Sequence, residues 1–182
     1  MKVRTHFHLA KLSLKENSIN LPKSFSHTMF YLGTIIADCC WLPYTNPHFH
    51  SKSFNYVEKK LDYLFETRKC NAYTSLQLGI IIHYLCDFCC YSHISGGIGN
   101  VNEHLLYERK IHKYLLNNLS NLHNKIKGNN PIKSINNLKD IIKINLSKYK
   151  KGAPSFSWDI DNSIQISSLV CLSFFETLIL NV

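Results

Sequence analysis

The stretch from residue 71 to residue 91 constrains the fold most strongly, because it is long and strongly apolar. Such a run predicts a central, buried helix. His83 and Asp87 lie four residues apart in this stretch and therefore share one face of the helix. A carboxylate in so apolar a helix is costly unless it is paired or bound to a metal ion. Gly79 lies on the same stripe, where it would let another backbone or a ligand approach closely.

Helical periodicity also dominates the rest of the 182 residues. It predicts further helices over residues 5–15, 24–40, 54–69, 103–118, 133–149 and 159–180, with Ser24 as a cap. Glycine and proline are scarce, with 7 and 5 residues, which disfavours a turn-rich all-β fold. We therefore predict an all-α fold with about six or seven helices, in a single compact domain over residues 1–182.

Composition limits the partners and the compartment. The formal charge of +9 favours an anionic partner, such as nucleic acid, an acidic membrane face or a phosphorylated substrate. The N-terminus lacks the continuous apolar segment of a signal peptide, so we expect a cytoplasmic protein. Residues 164–180 are the most apolar tract, but it is short and interrupted for a membrane span. We therefore expect a buried helix there and no transmembrane segment.

The seven cysteines, an odd number, fit a reducing compartment better than a disulfide framework. Cys86, Cys89 and Cys90 cluster at the end of the central helix, and Cys90 shares the stripe of His83. We interpret the three as small buried hydrophobic residues, with a thiolate ligand as the alternative. The lysine-rich segment 133–151 is interpreted as a solvated helix face, with a phosphate-steering patch as the alternative.

Further residues extend the His83–Asp87 pair to a set that suits a metal ion. His93 follows the central helix, and His104 and Glu108, again four residues apart, share a face of the next helix. Imidazole and carboxylate groups are ligands of zinc and similar divalent ions. Three more candidates lie upstream, at the start of the first helix, at a helix end and in a proline-containing loop: His6, Asp38 and His48. In that loop, His50 is a rival of His48.

This order of residues resembles the zinc-dependent phospholipase C family. The matching pieces are Thr5-His6, the segment 33–38 that ends in Asp38, His48-Phe49, the string His83-Tyr84-Leu85-Cys86-Asp87, His93, and the pair His104 and Glu108. The motifs cover about residues 5 to 110. The resemblance implies an all-α fold and hydrolysis of phosphodiester bonds, in phospholipids or, in the related fungal single-strand nucleases, in nucleic acid.

The resemblance also implies two to three zinc ions and a role for each candidate. A first zinc would be held by three residues, His48, His83 and Asp87. A second would be held by another three, His93, His104 and Glu108.

A third zinc would be shared between Asp87 and His6, and Asp38 would act as general base or orient the bridging water. The secreted relatives supply a further ligand to this third zinc from an N-terminal Trp, which has no counterpart here. Met1, His8 or water would complete the third site.

Three functions follow from this reading. The first is hydrolysis of a lipid or small phosphodiester, with peripheral contact to a membrane. The second is a single-strand nuclease, which predicts an aromatic platform beside a basic groove; Trp41, Tyr44 and Phe49 stand in the appropriate loop. The third is a metal-stabilised binding module without turnover.

Overall fold

The computed structural model describes residues 1–15, 21–38, 45–94, 100–125 and 130–179. These residues contain seven α-helices, one short 3-10 helix (Tyr91–His93) and no strand, which confirms the all-α prediction. The helices are α1 (Val3–Lys15), α2 (His27–Ile36), α3 (His50–Thr67), α4 (Ala72–Phe88), α5 (Val101–Lys125), α6 (Ile135–Lys151) and α7 (Phe156–Ile179).

Helix α4 is the predicted central helix, and α1, α2, α3 and α7 pack around it. It begins with a capping box, in which the Asn71 side chain accepts from the Thr74 backbone N–H and the Thr74 hydroxyl accepts from the Asn71 backbone N–H. Most of its side chains, including His83 and Asp87, are buried. The apolar run is therefore buried on all sides, as its composition requires.

Two glycines allow α2 and α4 to cross in backbone contact. A Cβ atom added to Gly79 would lie 2.0 Å from the Phe30 carbonyl oxygen, and one added to Gly33 would lie 2.2 Å from the Leu76 carbonyl oxygen. Any larger residue at either position would push the helices apart. The predicted close approach at Gly79 is thus the approach of α2, and it brings the end of α2 beside His83.

Several predicted boundaries were wrong. Helix α2 begins after Ser26 instead of Ser24, because the Ser26 hydroxyl accepts the Met29 backbone N–H at 3.3 Å. Helix α3 begins at His50 and α5 runs on to Lys125, so both are longer than their apolar patterns indicated. Helix propensity and solvated polar faces extend a helix beyond its apolar stripe. The predicted end of the second helix, at Cys39 and Cys40, lies outside the described residues.

Helix α7 closes the fold and packs against α1, α4 and α6. In the described part of the chain it is the one helix that is long and apolar enough to cross a membrane, judged by length and composition. However, 72% of its apolar window is buried inside the fold. This agrees with the predicted buried helix.

Candidate metal centre

Two imidazoles present their lone pairs to each other at the crossing of α2 and α4. His83 Nδ1 donates to the Thr34 carbonyl at 2.9 Å, and His48 Nε2 donates to the Ala37 carbonyl at 3.2 Å. Each ring therefore leaves its other nitrogen unprotonated when neutral. These nitrogens, His83 Nε2 and His48 Nδ1, face each other at 3.3 Å. Two facing lone pairs repel unless a cation lies between them, and backbone carbonyls commonly orient metal-binding histidines in this way.

Asp87 lies at the centre of the cluster. Its Oδ2 atom is 2.9 Å from His48 Nδ1 and 3.1 Å from His83 Nε2. Its Oδ1 atom is 3.2 Å from His6 Nε2 and 3.5 Å from His93 Nε2. The carboxylate thus reaches histidines from α1, the loop before α3, α4 and the 3-10 helix, although Oδ2 and both ring nitrogens of His6 form no hydrogen bond of normal geometry.

A second group lies on the other side of Asp87. Glu108 Oε1 is 3.0 Å from His104 Nε2 and 3.3 Å from His93 Nε2. His104 and Glu108 come from consecutive turns of α5, and His93 comes from the 3-10 helix after α4. The helical spacing of four residues brings His104 and Glu108 together, whereas the turn after α4 brings His93 to this pair.

His48, His83 and Asp87 form the first group, and Asp38 lies at its rim. Its Oδ1 atom is 3.4 Å from His48 Nδ1 and 3.6 Å from His83 Nε2, and its side chain is 22% exposed. Burial raises the pKa of this carboxyl above its usual value, although the interaction with His83 opposes the shift. A carboxyl with a raised pKa and access to solvent is suited to accept a proton.

His6 and Met1 bring α1 into the cluster. The His6 ring stacks on the His83 ring with centroids 3.8 Å apart. The amino group of Met1 lies 2.5 Å from Asp87 Oδ1, 2.9 Å from His93 Nε2 and 3.2 Å from Glu108 Oε1. His8, the other residue considered for the third site, lies beside His112 with ring centroids 6.2 Å apart.

For four of the candidate ligands, the electrostatics favour the protonation states that bind metal. Burial lowers the pKa of His6 and of His93, so both rings are neutral at pH 7. Burial alone would raise the pKa of Asp87, but the interactions with His93 and with the Met1 ammonium hold it well below its usual value. For Glu108, the hydrogen bond from His93 and the Met1 charge outweigh burial and lower the pKa to about 2. His48 is the exception, since burial would lower its pKa but the Asp87 carboxylate, 2.9 Å away, raises it.

The distances fit zinc. Bonds of about 2.0–2.1 Å in a tetrahedron place neighbouring ligand atoms about 3.3 Å apart. The facing atoms of the first group are 2.9 to 3.3 Å apart, and those of the second are 3.0 to 3.3 Å apart. The described residues contain two clusters in which every ligand atom lies within 4.8 Å of the others: Asp38, His48, His83 and Asp87; and His93, His104 and Glu108.

The structure therefore brings all eight predicted site residues together, from six separate segments. Their individual roles stay predictions. The rival His50 belongs to neither group of candidate ligands, and its Nδ1 atom accepts a hydrogen bond from Lys150. Phe49 lies against His93, with ring centroids 6.0 Å apart, and the other two residues of the predicted aromatic platform, Trp41 and Tyr44, lie outside the described residues.

The cysteines at the end of α4 do not join either cluster. Cys86, Cys89 and Cys90 are fully buried, and burial raises the pKa of each thiol, to about 12 for Cys86 and Cys90. Thiols with raised pKa values are poor nucleophiles and poor ligands. Cys90 Sγ contacts the Ser92 hydroxyl at 3.1 Å instead. The placement agrees with the interpretation as buried hydrophobic residues.

Sequence reasoning missed Asp159, a second buried carboxylate beside the site. Its Oδ2 atom accepts the Tyr91 backbone N–H at 3.0 Å and the Tyr107 hydroxyl at 2.8 Å, and its Oδ1 atom accepts the Tyr149 hydroxyl at 2.7 Å. It therefore ties the turn that carries His93 to the helix that carries Glu108. An acid in the first turn of an apolar helix resembles an ordinary dipole-stabilising residue, so only its apolar surroundings could have indicated burial.

Comparison with known protein families gives one match. The family described as zinc dependent phospholipase C matches residues 5–156 of this chain. No curated protein and no solved structure matches it. The matched range includes all eight predicted site residues, whereas Asp159 lies beyond its end.

Proposed function

Because this chain belongs to the zinc-dependent phospholipase C family, we propose that it is a zinc-dependent hydrolase that cleaves the phosphodiester bond of phospholipids. The observation that carries the proposal is the pair of facing imidazole lone pairs beside Asp87. Both rings are fixed by backbone carbonyls, so in its neutral form each imidazole turns an unprotonated nitrogen to the other. A cation between the two nitrogens would relieve their repulsion and pair with Asp87.

Two or three zinc ions would bind. One would be held by His48, His83 and Asp87, and another by His93, His104 and Glu108. A third ion would lie at Asp87 Oδ1, because His6 Nε2 and the Met1 amino group both lie beside this atom. Bound zinc would lower the pKa of a coordinated water and neutralise phosphoryl oxygens, which is the help that an anionic phosphodiester needs against a nucleophile.

Asp38 would be the general base. It is the most exposed member of the first group, and its carboxylate lies beside both facing imidazoles. From this position it can accept a proton from an attacking water and orient that water towards phosphorus. His104, 26% exposed, is the corresponding open edge of the second group. The substrate phosphate would enter between these two residues.

Exposed apolar residues beside His104 favour a lipid substrate. Val101 is 74% exposed, Leu105 44% and Leu106 47%, and all three lie in the first turns of α5. Solvent-exposed apolar side chains at the edge of a site are suited to peripheral contact with a bilayer.

Metal analysis of the purified protein tests the first part of the proposal. We expect two to three zinc ions per chain, and fewer in His83→Ala. Zinc content of one ion or none, unchanged by His83→Ala, would contradict it.

Turnover is tested with phospholipid vesicles and, in competition, single-stranded DNA. Asp38→Asn should keep its zinc and lose at least about 100-fold in kcat, which is the range for a general base. The control Asp140→Asn removes an exposed carboxylate of α6 and should keep wild-type activity. If zinc binds but wild type cleaves neither substrate, the chain is a metal-stabilised module; preferential cleavage of the DNA would assign a nuclease.

A further inference from the structure

A small pocket opens beside the second metal group. It has a volume of about 140 Å³ and is lined by His50, Ser51, Phe88, His93, Ile94 and Lys150. One wall is therefore the imidazole of a predicted zinc ligand, His93. Drug-sized ligands usually occupy about 300 Å³ or more, so this pocket suits a smaller group such as a lipid headgroup.

His50 forms a fixed part of this pocket. Its ring packs against the Phe54 ring at 4.9 Å and nearly perpendicular to the Phe88 ring at 5.4 Å, measured between centroids. Its Nδ1 atom accepts a hydrogen bond of 2.8 Å from Lys150 Nζ. A neutral imidazole thus draws the ammonium of Lys150 to the pocket without cancelling its charge.

The other lysines that α6 directs at α3 are neutralised. Lys139 pairs with Asp62 at 2.7 Å, and Lys143 pairs with Glu58 at 2.8 Å. Lys150 continues this face of α6 towards the metal centre, but in the described part of the chain it has no carboxylate partner. None of the six lining residues is acidic. The pocket therefore carries one uncompensated positive charge.

We propose that this pocket binds the headgroup of the substrate and selects headgroups that carry a negative charge, through Lys150. The inference rests on the proposed function, because a scissile phosphate at the zinc ligands would place the attached headgroup next to His93. An ammonium opposite an anionic group is favourable, whereas a choline headgroup would meet a like charge. The substrate class is a phospholipid with an acidic headgroup.

Binding of water-soluble headgroups tests the pocket without turnover. Glycerophosphoserine and glycerophosphocholine are titrated by calorimetry into the zinc-loaded protein. Wild type should bind glycerophosphoserine about tenfold more tightly, the effect of one charge-assisted hydrogen bond. Lys150→Gln should remove this preference, and Lys150→Glu should reverse it.

Lys148→Gln is the matched control, since Lys148 is exposed in the same last turn of α6 and the change removes the same charge. It should keep the wild-type preference. Equal binding of both headgroups by wild type, or equal effects of Lys148→Gln and Lys150→Gln, would overturn the proposal.

Hydrolysis of short-chain phosphatidylserine and phosphatidylcholine, kept monomeric to avoid surface-charge effects, separates the two proposals. Lys150→Gln should raise KM about tenfold for the serine lipid only, with kcat unchanged. Selective binding without hydrolysis of either lipid would refute the hydrolase and keep the pocket. Hydrolysis without headgroup selectivity would keep the hydrolase and refute the pocket.

Discussion

Asp87 and Asp159 are both buried carboxylates on apolar helices, but their surroundings differ. Asp159 receives three hydrogen-bond donors, from Tyr91, Tyr107 and Tyr149. Asp87 receives the Met1 ammonium at one oxygen, while the other faces two imidazole nitrogens without a normal hydrogen bond. Asp159 is therefore satisfied at both oxygens within the fold, whereas Asp87 keeps one buried oxygen, Oδ2, available for a cation.

The pKa values of Asp159 and Asp87 are shifted in opposite directions. Burial raises the pKa of Asp159 above its usual value, despite the hydrogen bonds that oppose this effect. Burial of Asp87 is outweighed by the charges of its neighbours, and its pKa is held well below the usual value. We therefore expect Asp159 to contribute to stability and Asp87 to contribute to metal binding, and four measurements can separate these roles.

The largest effect is expected for Asp87→Asn. The change removes a ligand oxygen and the negative charge at the centre of both groups, so zinc affinity should fall by more than about 100-fold. Activity should be lost with the metal. Zinc content is measured after dialysis, with Asp140→Asn as the control. A variant that keeps full zinc content would remove Asp87 from the metal centre.

Removal of zinc from the wild-type protein should have the next largest effect. Zinc at about 1,000 times its dissociation constant stabilises the folded state by about 4 kcal/mol per site, which corresponds to roughly 10 °C in Tm. Thermal unfolding with and without a chelator measures this shift. An unchanged Tm would show that the facing imidazoles are not held together by a metal.

Asp159→Asn should lower the free energy of unfolding by about 2 kcal/mol, because the amide keeps one acceptor oxygen, so at least one of the three buried donors loses its charged acceptor. Zinc content should stay at the wild-type value. Urea unfolding of the zinc-free protein measures the loss. If stability is unchanged and zinc is lost instead, the distinction between the two carboxylates fails.

The smallest effect separates the two tyrosines of the Asp159 network. Tyr107→Phe and Tyr149→Phe each remove one hydroxyl bond to Asp159 and should each cost about 1 kcal/mol of stability. Only Tyr107 neighbours a ligand, Glu108, so only Tyr107→Phe should weaken zinc binding, by roughly threefold to tenfold. Competition with a chromogenic chelator measures the affinities. Equal zinc affinities in the two variants would make the network purely structural.

Much of the site could be predicted because its spacing is local. The pairs His83–Asp87 and His104–Glu108 are four residues apart, and any α-helix places such residues on one face. No local spacing determines the positions of His6, Asp38, His48 and His93, and the family resemblance supplied their expected roles. Met1 was one of three alternatives for the third site, and only the fold places its amino group beside Asp87. Asp159 was missed, since an acid at a helix start carries no motif.

The sequence by itself determined the helices, the burial of α4 and the register of its His83–Asp87 face, because apolar periodicity and helix geometry act over a few residues. The tertiary structure alone decided which side chains surround that face. The Gly33–Gly79 contact sets the approach of α2, and carbonyls of Thr34 and Ala37 then fix the tautomers of His83 and His48. Those contacts join residues far apart in the chain, and they exist only when the whole core is packed.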